Sequence, residues 1–109
     1  MTRIVITGAC GKMGRVINDI VNTRDDCEIT AGIDIAGEQY ADFPVYKKLF
    51  DLPEKPDVII DFSHPSLLDE LLDYCKINNV PVVIATTGYT DEQIKQIKTA
   101  AGQISVFFT

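Results

Sequence analysis

The sequence predicts an α/β protein built on a doubly wound parallel sheet of five or six strands, with helices on both faces. Short apolar runs alternate with helical patterns along the whole chain, and this alternation is typical of parallel strands joined by right-handed crossovers. The segment 57–61, DVIID, has a continuous apolar centre, as expected of a parallel strand covered on both faces. With 109 residues, 46% of them hydrophobic, the chain suffices for one compact domain.

Apolar periodicity and turn residues predict the individual elements in order. In the first half they are a strand at 3–7, a helix at 12–23, a strand at 28–33, a polar loop with Gly37 at 36–42, a short strand at 44–46 and a short helix at 47–52. The apolar residues of the first helix recur on one face at 3.6-residue spacing: Met13, Val16, Ile17, Ile20 and Val21.

The second half is predicted in the same way. Its elements are a strand at 57–61, a helix at 65–78, a strand at 80–85, a helix from 90 onward and a strand at 104–108. Pro65 suits the first turn of a helix, and Thr90 with Gln93 forms a capping-box pattern. If 44–46 is counted as a strand, the strand order is 3-2-1-4-5-6, the Rossmann-type arrangement. The loops 8–14 and 62–65 then face each other across the crevice where ligands bind.

Three glycines follow the first strand at every third position, Gly8, Gly11 and Gly14. Gly8 allows a sharp turn, Gly11 leaves room for a ligand against the backbone, and Gly14 lets the helix pack closely. The N–H groups and positive dipole end of the helix face the same space, which suits a pyrophosphate. Met13 stands where a Walker loop needs Ser or Thr, which argues against a Walker loop. The glycine pattern, set between a strand and a helix, instead predicts a dinucleotide site. A strand-to-helix turn without a ligand is the alternative.

Asp34 directly follows the second strand, where a carboxylate accepts hydrogen bonds from an adenosine ribose. A solvated loop aspartate is the alternative. Asp34 would repel the 2′-phosphate of NADPH, and Ile35 supplies no cation for it, so NADH is the favoured cofactor. NADPH stays possible, because Lys12 or Arg15 could reach its 2′-phosphate from the side of the glycine loop. Further along, the small and polar segment 85–88 either lines the nicotinamide or caps the next helix.

The net charge and the cysteine content argue against several classes of function. The net charge of −6 argues against nucleic acid or an anionic membrane as partner. Cys10, Cys27 and Cys75 have no metal-ligand spacing with His64, the single histidine, so we expect a reduced cytoplasmic protein without a metal. The helix N-terminus would lower the pKa of Cys10, although a small residue tolerated in a loop is the favoured interpretation. His64 is interpreted as a capping or surface residue.

Three segments together resemble the 4-hydroxy-tetrahydrodipicolinate reductase (dihydrodipicolinate reductase) family: ITGACGKMG at 6–14, DVIIDFSHP at 57–65 and VIATTGY at 83–89. The resemblance covers essentially the whole chain and implies a nicotinamide-dependent reduction in lysine biosynthesis. It places the pyrophosphate on the glycine loop and the ribose on Asp34. The cofactor-binding residues predicted from loop and resemblance are Gly8, Ala9, Cys10, Gly11, Lys12, Met13, Gly14, Asp34, Phe62, Ser63, Ala85, Thr86 and Thr87.

The family carries a second domain that binds the cyclic dicarboxylate substrate, donates the proton and builds a homotetramer. We therefore expect 1–109 to be the dinucleotide-binding domain, without catalytic residues of its own. Thr109 falls at the start of a further cofactor-contacting segment of the family. Two alternatives stay open: a Rossmann-type nucleotide or coenzyme A binding module, and another reductase with the same cofactor domain. Asp34 argues against coenzyme A, since it would repel a 3′-phosphorylated ribose.

Overall fold

A six-stranded parallel sheet forms the centre of the protein in a computed structural model that describes residues 1–36 and 38–108. The strands are β1 (Thr2–Thr7), β2 (Cys27–Ile33), β3 (Val45–Tyr46), β4 (Val58–Asp61), β5 (Val82–Ile84) and β6 (Val106–Phe108). Their order is β3-β2-β1-β4-β5-β6, and every neighbouring pair is parallel. The predicted fold class and strand order are confirmed. Gly37 and Thr109 lie outside the described residues.

Three helices cover the two faces of the sheet: α1 (Lys12–Val21), α2 (Leu68–Asn78) and α3 (Asp91–Ala100). α1 packs on one face with Ile4 and Ile6 of β1. α2 and α3 pack on the other face with Ile59 and Ile84. None of the helices formed by residues 1–36 and 38–108 could span a lipid bilayer.

Two helices differ in detail from the sequence prediction. The short helix expected at 47–52 is a single 3₁₀ turn, Leu49–Asp51. The helix expected from residue 65 begins with a 3₁₀ turn, Pro65–Leu67, before it continues as α2. The fixed φ of Pro65 suits this tighter first turn.

The apolar face predicted for the first helix is largely exposed. Met13, Val16 and Ile20 are 47%, 40% and 52% exposed, and α1 ends two residues earlier than predicted. The helix faces the core instead through Gly14, Ile17, Asn18 and Val21. Helical periodicity identifies an apolar stripe. The close packing of Gly14 against the backbone of Ala9, however, decides how the helix is rotated against the sheet.

The two strands predicted at 80–85 and 104–108 are shorter in the structure. Val80 and Ile104 are buried in the core, which explains their apolar character. Their N–H groups, however, bond back to the preceding helical turns: Val80 N donates to Cys75 O at 3.0 Å, and Ile104 N donates to Ala100 O at 3.0 Å. Both residues therefore close a helix and do not yet belong to a strand.

Candidate functional site

The loops after β1 and β4 touch each other at the carboxyl end of the sheet. Phe62 N donates to Thr7 O at 3.0 Å. Gly8 has φ +73°, and a Cβ atom on it would lie 2.4 Å from Phe62 O. Glycine is therefore required here both by the backbone conformation and by the close approach of the second loop. The two loops therefore lie side by side, as the strand order predicted.

The N-terminus of α1 opens into this crevice without a side-chain cap. Gly11 is its N-cap residue and is extended, with φ −76° and ψ 174°. α3, by contrast, begins with the predicted capping box, in which Thr90 Oγ1 accepts from Gln93 N. A Cβ on Gly14 would lie 2.4 Å from Ala9 O, so glycine lets the first turn of α1 press against the loop. The uncapped N–H groups and the helix dipole favour an anion at this position.

A groove of about 680 Å³ extends from the glycine loop to the end of β5. Nine of the thirteen predicted cofactor-binding residues line this groove: Gly8, Gly11, Lys12, Met13, Phe62, Ser63, Ala85, Thr86 and Thr87. The other four, Ala9, Cys10, Gly14 and Asp34, do not line it. Ala9 and Gly14 are buried behind the loop, and Ala9 O accepts from Tyr40 Oη at 2.8 Å. Cys10 turns away from the groove, and its Sγ contacts Glu38 O at 3.1 Å.

Asp34 lies just beyond β2 and lines a smaller cavity of about 180 Å³ together with Gly8 and Ile35. Its Oδ2 accepts from Cys10 N at 3.0 Å, and its Oδ1 accepts from Ala36 N at 3.0 Å. The carboxylate therefore holds the glycine loop against the end of β2. Each carboxylate oxygen keeps another lone pair, so Asp34 can still accept hydrogen bonds from the two hydroxyls of a ribose.

Asp61, at the end of β4, is a central residue of the site that sequence reasoning did not identify. It is fully buried, and five donors converge on its carboxyl group. They are the hydroxyls of Thr7, Ser63, Thr86 and Tyr89 and the backbone N–H of Ser63. Asp61 thus ties together the segments that follow β1, β4 and β5. The available signal was an acidic residue ending a buried strand, with hydroxyl residues at the ends of two others.

Burial raises the pKa of Tyr89 to about 12, and the nearby Asp61 carboxylate adds to this effect. Tyr89 therefore stays protonated at neutral pH and can donate to Asp61, which it does at 3.3 Å.

His64 has the capping role predicted for it. It is the N-cap of the 3₁₀ turn Pro65–Leu67, and its Nδ1 accepts from Ser66 N at 3.1 Å. Nδ1 also lies 2.9 Å from Ser66 Oγ. The ring organises the loop between the groove and the smaller cavity, both of which it lines.

Cys10 differs from the sequence expectation that the helix N-terminus would lower its pKa. Burial raises the pKa of the thiol, and the Asp34 carboxylate raises it further. We expect Cys10 to react with iodoacetamide near neutral pH more slowly than an unperturbed thiol, because less of it is thiolate. Mass spectrometry of the time course measures the rate, and Asp34→Asn should increase it. Faster alkylation than that of a free cysteine would contradict this prediction.

Taken together, the glycine turn, the uncapped helix and the acidic residue after β2, all at the point where the strand order reverses, define a Rossmann-type nucleotide-binding domain. The family model described as "Dihydrodipicolinate reductase, N-terminus" matches residues 2–109. The chain therefore belongs to this family, as the three resembling segments predicted.

Similar proteins agree with this assignment. The 4-hydroxy-tetrahydrodipicolinate reductase of Clostridium novyi is 39% identical over 98% of this chain, which spans only 42% of that relative's length. The dipicolinate-bound dihydrodipicolinate reductase of Paenisporosarcina sp. TG-14 superposes with a TM-score of 0.77 at 34% identity, covering 93% of this chain and 43% of the other. A dinucleotide-forming acetyl-coenzyme A synthetase of Ca. Korarchaeum cryptofilum has a TM-score of 0.75 at 17% identity, covering 96% of this chain and 25% of the other. This last likeness shows the fold alone.

Proposed function

We propose that the chain binds a reduced nicotinamide dinucleotide, NADH in preference to NADPH. In a longer enzyme it would hold this cofactor for the reduction of 4-hydroxy-tetrahydrodipicolinate to tetrahydrodipicolinate in lysine biosynthesis. The observation that carries the proposal is the arrangement around Gly8, where the uncapped start of α1 and the Asp34 carboxylate open onto two cavities that share Gly8 in their walls. The name of the Clostridium novyi relative supports the reaction.

Each part of the dinucleotide has chemically matching residues. The N–H groups at the start of α1 suit the pyrophosphate, and Lys12 adds a positive charge beside them. Asp34 suits the adenosine ribose. The smaller cavity beyond it has apolar walls that include Ile33, Ile35 and Leu49, which suit the adenine ring.

The far end of the groove suits the nicotinamide and its ribose. Ala85 and Thr86 lie at the end of β5, and the side chain of Thr86 is held by Asp61 at 2.8 Å. When bound, the nicotinamide ring would supply the hydride. The protein's part is to fix the ring in one orientation, which brings the donor and acceptor carbons within reach.

The proposed preference for NADH depends on the charge of Asp34. A carboxylate accepts from a free 2′-hydroxyl, but it repels a 2′-phosphate. Ile35, the next residue, is 71% exposed and carries no charge. Coenzyme A, with its 3′-phosphorylated ribose, is disfavoured at the same carboxylate.

Replacing Asp34 with Asn should weaken NADH binding about tenfold, since a charge-assisted hydrogen bond to the ribose is lost. NADPH binding should fall less or improve, because the repulsion disappears. Calorimetric titration of the folded chain with each nucleotide measures both effects.

Asp42→Asn serves as the matched control, because Asp42 is an exposed carboxylate outside both of these cavities. It should leave both affinities unchanged. If a folded wild-type chain bound neither nucleotide, or if it bound coenzyme A more tightly than NADH, the proposed function would be wrong. If the wild type bound NADPH more tightly than NADH, the cofactor preference alone would be wrong.

The substrate side of the reaction is proposed to belong to a second domain of the longer enzyme. Reduction requires a proton donor, and the two substrate carboxylates require cationic partners. The relatives are more than twice as long as this chain, so they have room for such a domain.

The homotetramer stays a prediction for that longer enzyme. A cytoplasmic location is proposed on the free thiols of Cys10, Cys27 and Cys75.

A further inference from the structure

Lys47 lies beside Asp34 across the sheet. The parallel register of β2 and β3 pairs Ile33 with Tyr46, and Asp34 N donates to Tyr46 O at 2.9 Å. Lys47 therefore follows β3 at the position that is equivalent to Asp34 after β2. Side chains at equivalent positions of neighbouring parallel strands project to the same side. In agreement, Asp34 and Lys47 both line the smaller cavity.

Among the described residues, no carboxylate oxygen lies within 4.0 Å of the Lys47 ammonium group, although Glu70 lines the same cavity. The ion pairs within 4.0 Å among residues 1–36 and 38–108 all involve Arg3 or Arg24, so Lys47 and Asp34 share a cavity without forming a closed pair. Lys47 is exposed, which leaves its long side chain free to follow a ligand.

The two cations considered from the sequence are placed differently. Lys12 lines the larger groove, on the pyrophosphate side. Arg15 is engaged elsewhere: its Nε donates to Cys10 O at 3.2 Å, and its guanidinium lies 4.1 Å from the centre of the Tyr40 ring. Among the described residues that line the smaller cavity, Lys47 is the only Lys or Arg.

We propose that Lys47 binds the 2′-phosphate of NADPH and thereby limits the preference for NADH that Asp34 creates. This inference rests on the proposed function and deepens it. A ribose held by Asp34 would place its 2′ substituent at the mouth of the smaller cavity, where the carboxylates of Asp34 and Glu70 repel a phosphate and Lys47 attracts it. The site therefore accepts both nucleotides, with opposing contributions from two residues that the β2–β3 register makes neighbours.

The test is a calorimetric titration of the 109-residue chain and two variants with NADH and with NADPH. Lys47→Met keeps an unbranched side chain and removes the charge. Lys48→Met is the matched control, because Lys48 is the adjacent exposed lysine and does not line the cavity. We expect Lys47→Met to weaken NADPH binding about five- to tenfold, with a change of less than about twofold for NADH.

Ionic strength gives a second readout. Salt screens exposed charges, so NADPH binding by the wild type should weaken more steeply with added salt than NADPH binding by Lys47→Met. The Lys48→Met control should behave as the wild type. Lys47→Arg should retain most of the NADPH affinity.

The outcomes separate the two proposals. If the wild type binds NADH and Lys47→Met leaves the ratio of the NADPH and NADH affinities unchanged, the role of Lys47 is wrong and the proposed function stands. An equal loss in Lys48→Met would also overturn it, since the effect would then be general surface charge. If a folded wild type binds neither nucleotide, the proposed function itself fails.

Discussion

Replacing Asp61 with alanine is expected to lower the free energy of unfolding by roughly 3 kcal/mol, because five donors lose their acceptor in a fully buried position. Urea denaturation followed by circular dichroism measures the change. Nucleotide binding should weaken as well, since Asp61 holds Ser63 and Thr86 in the walls of the groove.

Asp61→Asn provides the graded comparison. Its amide keeps one oxygen as an acceptor and preserves the volume, so we expect a loss roughly half as large. Thr86 Oγ1 already lies 3.3 Å from Ser63 O, which is an alternative acceptor. If Asp61→Ala cost less than about 1 kcal/mol, such alternatives would be sufficient and Asp61 would not be the organising residue of the site.

The second large effect is expected for Gly8→Ala. The positive φ costs about 1–2 kcal/mol for a residue with a Cβ, and the clash with Phe62 O at 2.4 Å adds about 1–3 kcal/mol. Separation of the two loops would also change the crevice, so NADH binding should be lost. Thermal unfolding and calorimetric titration measure the two effects.

Gly88→Ala separates conformational strain from the clash. Gly88 also has a positive φ, +89°, but the nearest atom to a Cβ there is Pro65 Cγ at 3.8 Å, an ordinary contact. We expect Gly88→Ala to cost only the conformational part, about 1–2 kcal/mol. Equal losses in the free energy of unfolding of the two variants would show that the close approach of Phe62 to Gly8 does not contribute to the cost of Gly8→Ala.

Local patterns in the sequence were sufficient for the fold and for part of the site. Alternation of strands and helices, together with a continuous apolar strand at 57–61, predicted the sheet, and counting 44–46 as a strand gave the Rossmann-type strand order. Gly8 and Asp34 were identified because their roles depend on position in the chain. Gly8 directly follows a strand and allows the turn into a helix, and Asp34 directly follows the adjacent strand. The capping role of His64 could be predicted for the same reason, because an N-cap side chain bonds to a backbone N–H only two residues further along the chain.

Other features depended on contacts between residues far apart in the chain. The rotation of α1, which exposes Met13, follows from the contact of Gly14 with Ala9. The role of Asp61 requires hydroxyls from three separate segments of the chain, at the end of β1 and after β4 and β5. The apolar residues before it in the sequence indicate only burial.

Local sequence patterns established that strands and helices alternate, where the glycine turn lies and that an acidic residue follows β2. These follow from periodicity and backbone conformation, which are properties of neighbouring residues. The tertiary structure alone decided that Lys47 stands beside Asp34 and that five donors meet at Asp61, because register between strands brings together side chains that no local pattern relates.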